Sequence, residues 1–347
     1  MRPGAVKPSW PHPFRMVLLL LLLLPSVAQA QQVAIDAMLQ EANDLKDGDA
    51  CDGAVPLYDE VIARAEIGTP AWGWALYNRG VCHEELGDPQ SAAATYTALI
   101  DDGTDAALVS DARFRRGLLV IVHGGDTSAA RTDFRAAARG RRGVDRAILD
   151  IQFGRLDLDA GRPRAAARRA ATAARVLDAE REENPDRRGG RFDWFGAQVA
   201  LLQGDIWLDA AARVSLRLKG PVRVTKRITR RAEYLGNAET FYVRAIGLGC
   251  APWSQEALLQ LGNGYRAAAE ALAALLDEAR TSPGGPSEAE RLALAHWLEP
   301  RVDAQLRKAA DAWVLCLQVE SEIGGAPDRA EACQAGVDEL VERLRAE

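Results

Sequence analysis

The chain has 347 residues, 27% of them charged, with 49 acidic against 43 basic side chains and a formal net charge of −6. That balance excludes a general nucleic-acid binder, which relies on clustered Lys and Arg to neutralise phosphates. The length is enough for two domains or one elongated array.

At the N-terminus, Arg2, Lys7 and Arg15 make a basic leader, Met16 to Leu24 is a short apolar run, and Ala28-Gln29-Ala30 offers small residues for cleavage. This is the anatomy of a secretory signal peptide over residues 1–30. A bilayer-spanning helix needs about 20 apolar residues, so no transmembrane anchor is expected. No cysteine follows the apolar run before Cys51, which argues against lipid attachment. A chain starting at Gln31 carries 40 basic against 49 acidic residues, a net charge of −9. The expected location is outside the cytoplasm, in the periplasm or cell envelope or fully secreted. An excess of Arg and Ala fits a GC-rich bacterial genome.

From Leu76 a spacing pattern begins. Gly80 is preceded by Leu76 and followed by His83, Gly87 ends the first helix, and Ala92, Tyr96 and Leu99 lie on the second. Glycine or alanine at the small positions lets two antiparallel helices approach, while bulky residues a turn away fill the flanks. Asp88 is suited to cap the second helix, with Pro89 at its first position. The pattern returns with Phe114 to Gly117, the turn His123 to Asp126, then Ala130 and Phe134. It returns again with Gly154, Gly161, Pro163 and Ala166, and Ala54 with Tyr58 matches the second half of an earlier unit. The small markers Ala54, Ala92, Ala130 and Ala166 are 38, 38 and 36 residues apart. In these residues the chain resembles the tetratricopeptide repeat (TPR) family, as an exported bacterial member. The resemblance covers residues 33–183 and lacks the usual proline closing each unit. It implies an all-α fold, an α-solenoid of antiparallel helical hairpins over 31–186, followed by a helical extension over 187–347.

After the connector Pro185 to Gly190, apolar residues recur at helical spacing in Phe195 to Leu218, Ile228 to Leu248 and Trp253 to Leu276. A linker at 282–286 precedes a long helix from Ser287 to about Ile323 and a last one from Asp328 to Leu344. Val214, Leu216, Leu218, Val222 and Val224 alternate as a strand hairpin would. The alternative is a helix ending near Leu218 and a short extended loop, and it fits Trp207, Ala211, Val214 and Leu218 better.

Five cysteines leave one over in an oxidised chain. The turn expected at Ile67 to Pro70 lies midway between Cys51 and Cys82, and that at Gly324-Gly325 midway between Cys316 and Cys333. Residues equidistant from a hairpin turn can face one another, so Cys51–Cys82 and Cys316–Cys333 are the expected disulfides, with Cys250 free. Buried unpaired thiols are the alternative.

No chemical constellation emerges. His83, His123 and His296 have no second His or Cys at metal-ligand spacing, and Glu84-Glu85 diverge on a helix rather than share one site. The glycine pairs at 124–125, 189–190 and 284–285 lie between helices and lack phosphate-binding patterns. No enzyme activity, metal, cofactor or small-molecule substrate is expected. One charge run stands out: Arg213, Arg217, Lys219, Arg223, Lys226, Arg227, Arg230 and Arg231, with no acid between Ala210 and Arg231. It is either a patch for an anionic partner or a set of cations paired with the protein's own surplus acids.

The resemblance implies a scaffold binding a protein or peptide partner in the cell envelope through an inner groove. Its lining residues would be Tyr77, Asn78 and Val81; Phe114, Arg115 and Leu118; and Ile151, Gln152 and Arg155. Asn at the position of Asn78 holds a ligand backbone or carboxylate in clamp-type members, but Arg115 and Gln152 replace it here, so no complete carboxylate clamp is present. The groove could instead be filled by the chain's own C-terminal helices. A second function is a structural subunit of an envelope assembly that docks a neighbour through those helices.

Overall fold

A computed structural model describes residues 27–183, 190–218, 221–281 and 287–346. Among the described residues there are 13 helices and no strand, and none of the helices is long and apolar enough to cross a membrane. Most of the expected leader, and the boundary expected at 186/187, lie outside the described residues. The helices form two compact units that divide between Arg139 and Gly140.

Unit 1 is three successive hairpins: α1 (Val27–Asp47) with α2 (Cys51–Arg64), α3 (Pro70–Glu85) with α4 (Pro89–Asp102), and α5 (Ala106–Val122) with α6 (Thr127–Ala137). Each helix packs on the next, and the leading helices also touch, α1 with α3 and α3 with α5. The leading helices thereby build one continuous face. The local signals are those of helix ends. Asp88, Asp105 and Asp126 each accept a bond from a backbone N–H of the helix they precede, and Pro89 stands at the first position of α4. Gly87 closes α3 at φ 73°, a left-handed conformation that glycine adopts without a steric penalty. The core runs as two layers, Ala54, Tyr58 and Val61 against Ala71 and Ala75, then Trp72 and Leu76 against Ala92, Tyr96 and Leu99.

Unit 2 begins with α7 (Gly143–Asp159) and α8 (Pro163–Glu183), then α9 (Arg191–Ala212), α10 (Pro221–Ile246), α11 (Ala251–Thr281), α12 (Glu288–Ile323) and α13 (Pro327–Ala346). Ser287 and Glu290 form a reciprocal capping box at the start of α12. The largest core gathers Leu201, Tyr242, Leu258, Leu261 and Trp313 from α9 to α12.

One sequence expectation needs correction here. α9 stops at Ala212 rather than near Leu218, and α10 starts at Pro221, so Val222 and Val224 are helical and the strand hairpin does not form. The reason is packing. Val224 is buried on the same stripe as Leu235, Ala238 and Tyr242, so the 3.6-residue period decides over local alternation. Leu216 and Leu218 pack against the core from the irregular segment between the helices, where the Leu218 N–H donates to the Glu278 carboxylate at 3.2 Å.

Candidate protein-binding surfaces

On the face built by α1, α3 and α5 the expected groove residues come together in unit 1. Tyr77, Asn78, Val81, Phe114, Arg115 and Leu118 are all half-buried. The Arg115 Nε donates to the Tyr77 hydroxyl at 3.0 Å and Nη1 to Glu84 Oε2 at 3.2 Å, while the buried Tyr96 hydroxyl donates to the other Glu84 oxygen. Burial opposes the charge of Arg115, yet Tyr77, Tyr96 and Glu84 together hold its pKa above that of an ordinary arginine. Glu84 is thus the carboxylate that joins α3, α4 and α5. Glu85 diverges from it toward Cys51, as adjacent helix residues do.

Asn78 Nδ2 donates to Asn43 Oδ1 at 2.8 Å, and the Tyr58 hydroxyl donates to the same oxygen at 2.9 Å. Burial pushes the Tyr58 phenol up to about 12. Sequence reasoning missed Asn43, which lies on α1 ahead of the first marker residue, Ala54. It also missed Trp74, 46% exposed on α3, with its ring edge-on to Tyr77 at 6.0 Å. A large aromatic four residues after Pro70, one turn before Asn78, was the signal available.

The third set of groove positions behaves differently. Ile151 and Gln152, on α7, are buried at 0% and 3% exposure, with Ile151 packed against Val199 and Leu202 of α9. An inner face continuing over these two residues is therefore not present; α9 covers them. Arg155 lies near Trp253, 5.6 Å from its ring, where burial lowers its pKa against the pull of Asp205, Glu256 and Asp159. Asp205 is itself pushed up to about 6, chiefly by burial, while accepting a 2.6 Å bond from the Tyr242 hydroxyl.

The cysteines pair as the turn geometry implied. The sulfurs of Cys51 and Cys82, and of Cys316 and Cys333, stand at bonding distance, with Cα separations of 5.0 and 6.4 Å. Cys250 is outside both pairs, and burial pushes its thiol up. Cys51, Cys82 and Glu85 bring three potential metal-ligand atoms close together, but sulfurs joined to each other are not thiolate donors.

In the basic run, Lys219 lies outside the described residues. Among the described residues only Arg213 forms an ion pair, with Asp209 at 2.6 Å. Arg227 and Arg231 donate to the carbonyls of Ser215 and Ala267, and Arg230 to the Tyr234 hydroxyl. Arg217, Arg223 and Lys226 are exposed. Among the described residues the other cations of the run form no ion pair with the protein's own acids.

Against known proteins, residues 74–102 match the family model described as tetratricopeptide repeat, which places the match on the hairpin of α3 and α4. A comparison with curated sequences finds no match. Among solved structures the chain is similar to a TPR repeats protein from Bacteroides fragilis, with 13% identity over 89% of this chain and 98% of that one and a TM-score of 0.36. It is also similar to the C-terminal part of a TPR repeat-containing protein from Cytophaga hutchinsonii, with 14% identity over 85% and 98% and a TM-score of 0.36. A third is an assembly chaperone of RpL4, with 17% identity over 80% and 99% and a TM-score of 0.37.

Proposed function

We propose that the protein is an exported scaffold of the bacterial cell envelope, whose unit 1 holds a segment of a partner protein along the face of α1, α3 and α5. The carrying observation is the half-exposed surface of Trp74, Tyr77 and Arg115, locked in place by the Tyr77–Arg115–Glu84–Tyr96 bonds. Tryptophan, tyrosine and arginine are the residues that dominate binding energy at protein interfaces, and a surface already held rigid loses little freedom on binding. A tetratricopeptide-like hairpin at this place supports the same reading, since stacked repeats of this kind present an extended binding face. Export draws support from the leader sequence and from the two cysteine pairs, because disulfides persist in oxidising compartments. The role is one of binding rather than catalysis.

The test is affinity capture from the envelope fraction of the source cells, with Trp74→Ala and Arg115→Lys as paired variants. A partner retained by the native protein and released by both variants, at unchanged melting temperature, supports the reading. Retention indifferent to both but lost on reversing Arg223 and Arg230 to Glu would favour the alternative, an envelope subunit docked through its C-terminal helices. N-terminal sequencing of the periplasmic protein should begin at Gln31.

A further inference from the structure

Helix α10 turns a stripe inward at helical spacing, Val224, Ile228, Leu235, Ala238 and Tyr242, and Arg231 falls on that stripe between Ile228 and Leu235. A guanidinium at a core register is unfavourable unless it is answered by a partner. Arg231 gives one nitrogen to the Ala267 carbonyl at 3.1 Å and forms no ion pair among the described residues, and burial draws its pKa below the ordinary arginine value.

The same side chain lines a cavity of about 350 Å³ between α10, α11 and α12, with Leu235 and Leu272 among its apolar walls. Its other cations are Arg301 and Lys308, and its acid is Glu239. Lys308 is taken by Glu239 at 3.8 Å. Arg301 has no acid among the described residues; its guanidinium stacks on Trp297 at 3.6 Å and donates to the Trp297 carbonyl. Two cations, the half-buried Arg231 and the exposed Arg301, thus line the space without forming an ion pair among the described residues. The buried Gln305 Oε1 there, an acceptor, also lacks a hydrogen-bond partner among the described residues, and it takes no part in holding an anion. Gly236 forms part of the wall, and a Cβ on it would meet nothing within 4 Å. Packing therefore does not demand glycine at this mid-helix position, where glycine is disfavoured, and its missing side chain leaves the opening wide.

We propose that this cavity binds an amphiphilic carboxylate, its apolar body lying between Leu235 and Leu272 and its anionic head on Arg231 and Arg301. The volume sits in the lower part of the range for small-molecule sites, roughly 300–1,000 Å³, which suits one slender ligand rather than a folded segment. Outside the cavity, the exposed Arg223, Lys226 and Arg230 set up a positive field that favours approach of an anion. The inference stands on the cavity and is independent of partner binding by unit 1.

The experiment is titration calorimetry at pH 8 with submicellar dodecanoate, using dodecanol and dodecyltrimethylammonium as matched neutral and cationic probes. The expected result is one dodecanoate bound per chain, with the other two probes at least tenfold weaker. Arg231→Met keeps the apolar stem and removes the charge, so affinity should fall at least tenfold while melting is retained. Ala232→Phe, at an exposed position on the cavity lining, should abolish binding without affecting the fold, and it decides the matter alone if Arg231→Met does not fold. Absence of dodecanoate binding, equal affinity for dodecanol, or binding unchanged in Ala232→Phe would overturn the proposal. Retention on phosphatidylglycerol vesicles that survives Ala232→Phe, without dodecanoate binding, would also overturn it and place the anion on the outer surface of α10.

Discussion

The ring of Tyr96 lies directly on the backbone of Gly80, so close that a Cβ on that glycine would stand 2.5 Å from it. The relationship recurs. Gly117 lies under Phe134 and Gly204 under Tyr242, with a Cβ at 2.6 and 2.5 Å, and Gly262 lies under Trp313. In each case a glycine on one helix lets an aromatic ring from another reach its main chain, which fixes the approach of the two helices.

Gly80→Ala should therefore destabilise, although alanine in an ordinary helix interior is favoured by up to about 1 kcal/mol. Tyr96 is fully buried and its hydroxyl is held by Glu84, so the ring has no space to retreat. Overpacking of about 1–3 kcal/mol should win, read as a lower urea midpoint. Tyr96→Leu in the same chain should restore part of the loss. A neutral or stabilising Gly80→Ala would show that the contact is slack.

Arg169 bridges two carboxylates of α7, Asp150 at 2.8 Å and Asp157 at 2.9 Å, whose side chains are 10% and 5% exposed. Removing it leaves both buried acids short of a partner, with the more exposed Arg146 and Arg162 as remaining neighbours. Arg169→Ala should cost about 2–4 kcal/mol, toward the lower end of the range for broken buried pairs. Arg213→Ala, which breaks an exposed pair, should cost less than about 1 kcal/mol. Chemical denaturation of the two variants side by side checks the contrast, and equal losses would contradict it.

Asp205 supplies a pH dependence with a defined sign. Its folded pKa, about 6, lies above the ordinary carboxylate value of 3.8 because burial disfavours the charge. Between these values the folded state holds a proton that the unfolded state has released, so this group's contribution to stability falls as pH rises through that window. Asp205→Asn keeps an acceptor for the Tyr242 hydroxyl and has no charge to bury. Its melting temperature relative to the native protein should be most favourable near pH 8 and should fall away toward pH 4. A difference independent of pH would exclude a raised Asp205.

The two cysteine pairs close chain segments of different length, with separations of 31 and 17 residues. In the chain-entropy account the longer loop stabilises more, and either bridge is worth about 3–4 kcal/mol. Cys51→Ser/Cys82→Ser should therefore melt lower than Cys316→Ser/Cys333→Ser, and Cys250→Ser should stay close to the native protein. Thiol titration in denaturant without reductant should find one free thiol per chain; five would overturn both pairings.

Much of unit 1 was legible because its signals are local. Asp88, Pro89 and Gly87 end and begin helices by their own backbone preferences, and Gly80 with Tyr96 marks a close crossing within one hairpin. The turns at Gly68 and at Gly324 also placed the paired cysteines correctly. In unit 2 the same glycine-and-aromatic device persists, but the partners lie far apart: Gly204 meets Tyr242, and Gly262 meets Trp313. A search for one fixed spacing passes over them, although Gly204 with Trp207 and Gly262 with Tyr265 keep the glycine–x2–aromatic step of the first helix. The end of α9 was misplaced for a related reason, since the helical spacing of Trp207, Ala211, Val214 and Leu218 says nothing about whether a core lies opposite.

By itself the sequence determined the helical class, the hairpin period, the capped helix ends of unit 1 and the pairing of cysteines about their turns. These follow from backbone conformation and from contacts only a few turns away along the chain. Which expected groove positions are covered was decided only in three dimensions: Tyr77 and Arg115 stay half-exposed, while Ile151 and Gln152 lie beneath α9. The neighbours of the described arginines of the run were set there too, because pairing depends on where the acids lie in space rather than on how many there are. Arg231 shows the difference most plainly. In the sequence it is one cation in a run of eight, and only the packing of α10 on α11 sets it beside a cavity, where it forms no ion pair among the described residues.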